Sequence, residues 1–173
     1  HLGIPRHHPD YYTLKVMNYI LGGGGFESRL LKNLREKRGL VYTAYSYFIS
    51  GLHAGHFLLG FQTENSSANV AIEEALRELR RLREEGVTDA ELSDAKAYFT
   101  GSFPMRYATN KRRAKLLLEL ELYGLGLDYH ERYSELINAV DREAVLRAAR
   151  KYLHPRRLLL TVVADQKKAA LKY

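Results

Sequence analysis

Residues 34–42, LREKRGLVY, contain two side chains suited to chemistry, Arg35 and Tyr42. A guanidinium and a phenol are hydrogen-bond donors, and side by side they suit binding of a peptide carbonyl or a developing oxyanion. A structural interpretation competes, because a cation at a helix end favours the helix dipole and tyrosine is common in strands. The residues alone favour the structural interpretation and leave the functional one open.

The histidines do not form a metal motif. A catalytic zinc site needs three protein ligands at fixed spacing. His53 and His56 lie in a predicted turn with no third ligand nearby, and His130 and Glu131 begin an HExxH pattern that Ser134 interrupts. We therefore expect no metal ligand and no cofactor site in this chain.

The glycine run GGGG at residues 22–25 is not a phosphate loop. A phosphate loop follows a strand and ends in GK[ST], whereas this run follows a predicted helix and lacks that ending. We interpret the run as the end of one helix and a flexible joint to the next. Nucleophilic catalysis has no support either, because the chain lacks Cys and a G-x-S-x-G elbow.

Composition limits the classes of partner. The chain has 173 residues, is 46% hydrophobic and carries a net charge of +7, as expected of one globular domain that tolerates anionic partners. No apolar run approaches the roughly 18 residues of a membrane span. The aromatic residues of the segment YTAYSYF fall on both faces of a strand, so we expect no nucleic-acid partner. The compartment stays open between bacterial cytoplasm and periplasm.

Hydrophobic periodicity predicts several helices and few strands. Helices are expected from residue 10 to residue 21 and over residues 27–37, 67–85, 108–123, 129–138 and 142–153, with a capping box at Thr88 and Glu91 opening another. Residues 42–50 and 56–63 alternate as strands of an antiparallel hairpin. Residues 158–164, LLLTVVA, are predicted to form a central strand buried on both faces. Residues 1–4 fit the tail of a further strand.

The order of these motifs resembles one family. Residues 9–48, the GVTDAEL turn at residues 86–92 and the final apolar segment are similar to the second, metal-free domain of the pitrilysin, insulinase and mitochondrial-processing-peptidase family. These proteins are zinc peptidases with an inverted HxxEH motif. The SRL…LRE…GL.Y pattern is the specific part of the resemblance, and the later helices agree only in length and order.

The resemblance implies a fold and an architecture. It implies a single α+β domain over residues 1–173 with the LuxS/MPP-like metallohydrolase fold, a largely antiparallel sheet covered by several helices. It also implies that the family's first strand is missing before His1. In the family, this domain faces a zinc-bearing domain across a closed chamber.

The resemblance also implies a role for two residues. The family's metal-free domain supplies an Arg and a Tyr seven positions apart, and Arg35 and Tyr42 match them. They are expected to bind the substrate and support the tetrahedral intermediate, with zinc supplied by a partner domain or subunit and a peptide or unfolded polypeptide as substrate. HxxEH is absent here, so the chain alone is expected to be inactive. The alternative is an inactive scaffold subunit resembling the core proteins of respiratory complexes.

Overall fold

The computed structural model describes residues 2–173, which form a two-stranded antiparallel sheet and a set of helices over it. The strands are β1 (Val41–Ile49) and β2 (His56–Thr63). The α-helices are α1 (Tyr11–Asn18), α2 (Ala68–Glu85), α3 (Asp89–Ser102), α4 (Asn110–Tyr123), α5 (Tyr129–Asn138), α6 (Arg142–Tyr152) and α7 (Gln166–Ala169). Short π-helical turns span Tyr19–Gly23 and Leu31–Lys37, and 3-10 turns span Gly25–Glu27, Asn65–Ser67 and Phe103–Tyr107. The α+β prediction is confirmed.

The hairpin supports the helices on one side. Phe57 is buried, and Leu59 and Phe61 on the same face of β2 are half-buried, as the alternation predicts. Helix α1 packs on β1 and α6, and α6 also packs on α2. The fully buried side chains of this core include Leu14, Met17, Leu30, Leu34, Leu82, Tyr133, Ile137 and Val145.

The first two residues of the glycine run, Gly22 and Gly23, extend the first helix. A π-helical turn extends α1 to Gly23, and Gly22 is buried against β1. A Cβ on Gly22 would lie 2.5 Å from the Ser46 hydroxyl oxygen, so only glycine permits this approach. The Asn18 amide donates to the Ser46 carbonyl at 2.9 Å, and the Ser46 hydroxyl donates to Asn18 Oδ1 at 2.8 Å. The helix end is therefore tied to the strand.

The predicted central strand at residues 158–164 is wrong. These residues form no strand, and Leu159 and Val163 are 91% and 99% exposed. A strand needs a neighbouring strand edge as hydrogen-bond partner, and within the described residues β1 and β2 pair only with each other, apart from an isolated bridge. The apolar run indicated a capacity for burial but contained no information about a partner.

The first residues run beside the hairpin. Leu2 forms an isolated antiparallel bridge with His56, and the Gly3 amide donates to the Gly55 carbonyl at 2.8 Å. This agrees in part with the strand tail predicted at residues 1–4, of which His1 lies outside the described residues. Among the helices of residues 2–173, none is long and apolar enough to cross a membrane.

Candidate functional site

Arg35 lies in the π-helical turn Leu31–Lys37, which ends immediately before β1. The turn closes when the Leu40 amide donates to the Leu34 carbonyl at 2.8 Å and the Gly39 amide donates to the Arg35 carbonyl at 2.9 Å. Gly39 has a φ of 61°, the left-handed conformation that glycine adopts without strain. The chain thus reverses at Gly39 and leads the strand back beside Arg35.

Tyr42 lies at an irregularity in the hairpin. Val41 pairs with Thr63 and Thr43 pairs with Gln62, so Tyr42 is an extra residue in β1. Such a bulge bends the strand and redirects a side chain, and bulges are frequent beside functional sites. The Tyr42 side chain is 79% exposed, although both of its neighbours in the chain are at least partly buried.

The structure brings Arg35 and Tyr42 together, with Phe26 as a third member. The Arg35 guanidinium carbon lies 5.1 Å from the centre of the Tyr42 ring and 4.8 Å from the centre of the Phe26 ring. Both distances lie within the range of cation–π contacts. No hydrogen bond or ion pair to the Arg35 side chain occurs in the described part of the chain, so its N–H donors are available to a ligand.

The turn that holds Arg35 is anchored by an ion pair between the buried Arg29 and the partly buried Glu91. Arg29 donates to the two carboxylate oxygens of Glu91 at 2.6 and 2.7 Å and to the Gly86 carbonyl at 2.9 Å. Burial disfavours the charge on Glu91, but hydrogen bonds from Arg29 and Thr88 outweigh it and lower the pKa of Glu91 to about 2. The start of α3 is thereby fixed to the segment that precedes Arg35.

A second buried network supports the same turn. The Asn33 amide donates to Glu74 at 3.1 Å and to Glu78 at 2.9 Å, and Arg38 forms an ion pair with Glu74 at 3.1 Å. Both carboxylates come from α2 and are buried. Burial raises the pKa of Glu78. Polar contacts on both flanks of Arg35 therefore fix its backbone, while its guanidinium N–H groups remain without a hydrogen-bond partner in the described residues.

Reasoning from sequence missed Phe26 and the bulge at Tyr42. Phe26 follows the glycine run, and no periodicity or motif relates it to Arg35. The bulge depends on the register between β1 and β2, which a single strand does not encode. The sequence therefore indicated which two side chains meet, but not the third side chain, Phe26, that contacts the guanidinium.

The side chains of this domain do not fit a zinc site. Within residues 2–173, no three His, Asp or Glu side chains lie close enough together to hold a metal ion. His53 and His56 remain separate exposed residues near the hairpin turn, and His130 lies on the surface of α5.

Comparison with known proteins identifies the family. The model of the peptidase M16 inactive domain matches residues 2–99, which contain Arg35 and Tyr42. The non-peptidase homologue YmxG of Helicobacter pylori is 29% identical over 162 residues, covering 92% of this chain and 37% of that protein. The uncharacterized zinc protease YmxG of Bacillus subtilis is 31% identical over 150 residues, covering 86% and 36%. The chain thus spans little more than a third of these relatives.

Solved structures agree with the predicted fold. A peptidase M16 inactive domain from Pseudomonas fluorescens superimposes with a TM-score of 0.82 at 34% identity, covering 89% of this chain and 37% of that one. A chain of complex III from Candida albicans superimposes with a TM-score of 0.73 at 18% identity, covering 87% and 38%, which shows a shared fold alone. The predicted resemblance to the metal-free domain of zinc peptidases is confirmed.

Proposed function

The chain belongs to the peptidase M16 family as an inactive domain, and from that premise we propose that it is the substrate-binding, metal-free half of a zinc metalloendopeptidase. The proposed partner is a zinc-bearing HxxEH domain or subunit, and the proposed substrate is a peptide or an unfolded polypeptide. Zinc bound by the partner supplies an activated water and a polarised carbonyl. This chain contains no HxxEH sequence, so peptide-bond hydrolysis is assigned to the assembled pair alone.

The observation that carries the proposal is the exposed pair of Arg35 and Tyr42. The guanidinium lies within 5.1 Å of the ring centres of Phe26 and Tyr42 and makes no hydrogen bond in the described residues, and the phenol of Tyr42 belongs to a bulge. Both groups can donate hydrogen bonds, and neither has an acceptor in the described part of the chain. They bind the carbonyl of an extended peptide and donate more strongly as negative charge develops on its oxygen.

The test removes both donors in the assembled peptidase. The double variant Arg35→Ala/Tyr42→Phe is expected to lose about 2–4 kcal/mol of transition-state stabilisation, as oxyanion donors do, which corresponds to a roughly 30- to 1,000-fold fall in kcat/KM. The measurement is cleavage of an unfolded polypeptide or a fluorogenic peptide by the complete enzyme. The melting temperature of each variant is recorded beside it.

The matched control is Lys37→Ala/Tyr45→Phe, which removes one cation from the same turn and one phenol hydroxyl from the same strand. This control is expected to cleave like the wild type. In the described residues, no hydrogen bond, ion pair or ring contact joins Lys37 or Tyr45 to Arg35, Tyr42 or Phe26. Normal cleavage by the Arg35→Ala/Tyr42→Phe enzyme, with its fold intact, contradicts the proposed role. Equal losses in both double variants contradict it as well.

The second candidate function is an inactive scaffold subunit. Two comparisons favour it: the Helicobacter pylori relative bears the name non-peptidase homologue, and the fold is shared with a chain of complex III. The free donors of Arg35 have no use in this role. A search for HxxEH in the native reading frame and its neighbouring genes separates the two functions, because a scaffold needs no zinc-bearing partner and a peptidase half does.

A further inference from the structure

A cavity distinct from the Arg35 and Tyr42 site is lined by three cations that pair with no carboxylate in the described residues: Arg6 is buried, Lys15 is half-buried and Arg106 is exposed. It encloses about 470 Å³ between the N-terminal segment, α1, the 3-10 turn Phe103–Tyr107 and α4, and an adjoining cavity of about 230 Å³ shares Lys15 and Arg106 with it. The adjoining cavity reaches β1 at Tyr47. That residue is five positions from Tyr42, or roughly 16 Å along an extended strand.

Arg6 is the first of these cations. Its residue is only 8% exposed, and it lies 3.8 Å from the centre of the Tyr11 ring. Its guanidinium donates to the hydroxyls of Tyr129 at 3.0 Å and Tyr12 at 3.3 Å. No carboxylate in the described residues pairs with it. Buried guanidinium groups are ordinarily paired with an anion, because ring faces and hydroxyls do not neutralise the charge.

Lys15 is the second cation. Its ammonium lies 5.1 to 5.8 Å from the ring centres of Phe99, Tyr133 and Tyr11. Neither a hydrogen bond nor an ion pair is formed by this ammonium with the rest of residues 2–173. Burial, followed by repulsion from Arg106 and Arg6, lowers the pKa of Lys15 to about 7. The ammonium thus lacks the anion that would stabilise its charge.

Arg106 completes a continuous cluster. Its guanidinium carbon lies 5.6 Å from the centre of the Tyr133 ring, which Lys15 also faces. Arg112 and Lys115 add two cations from α4, and Lys115 pairs at 3.8 Å with Glu119, the one carboxylate among the residues that line the main cavity. The site is therefore strongly positive, and its other walls are aromatic or apolar.

From this cluster we propose that the cavity binds a carboxylate carried on an aromatic or apolar body. The carboxylate occupies the space between Arg6, Lys15 and Arg106, and the body lies against Tyr98, Phe103 and Leu116. The volume is in the range of pockets that enclose small organic ligands. The carboxylate belongs either to the free C-terminus of a peptide or to an acidic side chain.

The titration of Lys15 gives the site a pH signature. The charged groups facing Lys15 are Arg6, Arg106, Arg112, Lys115 and Glu119, and of these only Glu119 favours its protonation. Burial raises the pKa of the tyrosines Tyr11, Tyr129 and Tyr133 beside it, so these phenols stay neutral near pH 7. A bound carboxylate stabilises the ammonium, so the complex takes up protons at pH 8 and binding is tighter at pH 6 than at pH 8.

The probe is N-acetyl-L-phenylalanine, compared with N-acetyl-L-phenylalaninamide, by isothermal titration calorimetry on the purified protein. The acid is expected to bind at least tenfold more tightly than the amide. At pH 8, titrations in buffers of different ionisation enthalpy report the proton uptake. Equal binding of acid and amide, or no binding of the acid, overturns the proposal.

Variants assign the binding to the cluster. Arg106 is exposed, so Arg106→Gln tests the site without disturbing the core. Lys15→Met removes the titrating group. Each is expected to weaken binding of the acid at least tenfold at pH 6, and Lys15→Met also abolishes the proton uptake at pH 8. Lys111→Met, an exposed lysine of α4 outside the cavity, is the control. Equal effects of Lys111→Met and Arg106→Gln overturn the assignment.

Three peptides identify the source of the carboxylate. N-acetyl-Ala-Ala-Phe has a free C-terminus, N-acetyl-Ala-Ala-Phe-amide has no carboxylate, and N-acetyl-Ala-Glu-Phe-amide has only a side-chain carboxylate. Selective binding of the first indicates a C-terminal ligand, and binding of the third indicates an acidic side chain. The same titrations with the Arg35→Ala/Tyr42→Phe variant are expected to be unchanged, so this site and the proposed peptidase role stand or fall separately.

Discussion

Arg29 and Arg6 are both buried guanidinium groups, yet their surroundings differ. Arg29 makes a bidentate contact with Glu91, whereas Arg6 has ring faces and two phenol hydroxyls around it and no carboxylate in the described part of the chain. Arg29 joins two segments that position Arg35, and Arg6 lines an open cavity. The paired guanidinium therefore anchors the fold, while the buried guanidinium without a carboxylate lines the proposed ligand site.

The largest expected effect is on the anchor. Arg29→Met leaves the Glu91 carboxylate partly buried without its partner, which costs about 3–5 kcal/mol of unfolding free energy. Arg6→Met is the matched variant, and it loses mainly a cation–π contact and hydrogen bonds to tyrosines, about 1–2 kcal/mol. Urea denaturation of both proteins measures the difference. Equal losses would remove the distinction between anchor and ligand site.

Acid is expected to weaken the Arg29–Glu91 pair by protonating Glu91. Its pKa falls from 4.5 to about 2 in the folded protein, so the pair contributes stability that is full above pH 4.5 and is lost as the pH falls towards 2. Because the side chain is 28% exposed, we expect a contribution of about 2 kcal/mol. Unfolding free energies at pH 6 and pH 3 should show more than half of this loss in the wild type, since the rest is lost only below pH 3. Glu91→Gln should lose less over the same interval, with the remaining loss coming from groups such as Asp10, whose pKa is also lowered in the fold; an unchanged slope in that variant would place the acid sensitivity elsewhere.

Raising the pH stabilises the folded protein through Lys15. Its pKa falls from 10.5 to about 7, so the folded state binds fewer protons than the unfolded state between these values and stability rises with pH. The cost of the charged amine is fully present below pH 7. Lys15→Met is therefore expected to stabilise the protein by about 1–2 kcal/mol at pH 6.5, after the cation–π contacts offset part of that cost. The gain should shrink at pH 9.

Thermal unfolding at pH 6.5 and pH 9 measures this gain, with Lys111→Met as the exposed control. A destabilised Lys15→Met protein at pH 6.5 would mean that the aromatic rings fully compensate the ammonium. The cluster of Arg6, Lys15 and Arg106 would then stabilise the fold as the Arg29–Glu91 pair does, and it would no longer differ from that anchor.

The same contrast explains what the sequence could predict. Helix α2, the Thr88 and Glu91 capping box and the hairpin follow from contacts between residues close in sequence, and the structure confirms them. The spacing of Arg35 and Tyr42 is also local, since only one turn and one glycine separate them. The family resemblance then gave the pair a proposed role that its chemistry alone left open.

Features that depend on distant partners escaped prediction. Lys15 reads as an ordinary polar residue of α1, because its burial depends on Phe99 and Tyr133, far away in the chain. The pairing of Arg29 with Glu91 joins residues 62 positions apart. Residues 158–164 failed for the same reason, since an apolar run specifies neither a strand edge nor the residues that cover it. Sequence patterns report local geometry, and charge compensation is a tertiary property.

The smallest expected effect comes from charge pairs that water already solvates. Arg81 pairs with Glu85 at 2.9 Å on α2, but their side chains are 49% and 61% exposed. Glu85→Gln is expected to change the unfolding free energy by about 0.5 kcal/mol or less, because solvent screens exposed pairs. Urea denaturation at low and high salt measures this, and the small loss should vanish at high salt. A loss approaching that of Arg29→Met would show that burial does not separate the anchoring pairs of this fold from its surface pairs.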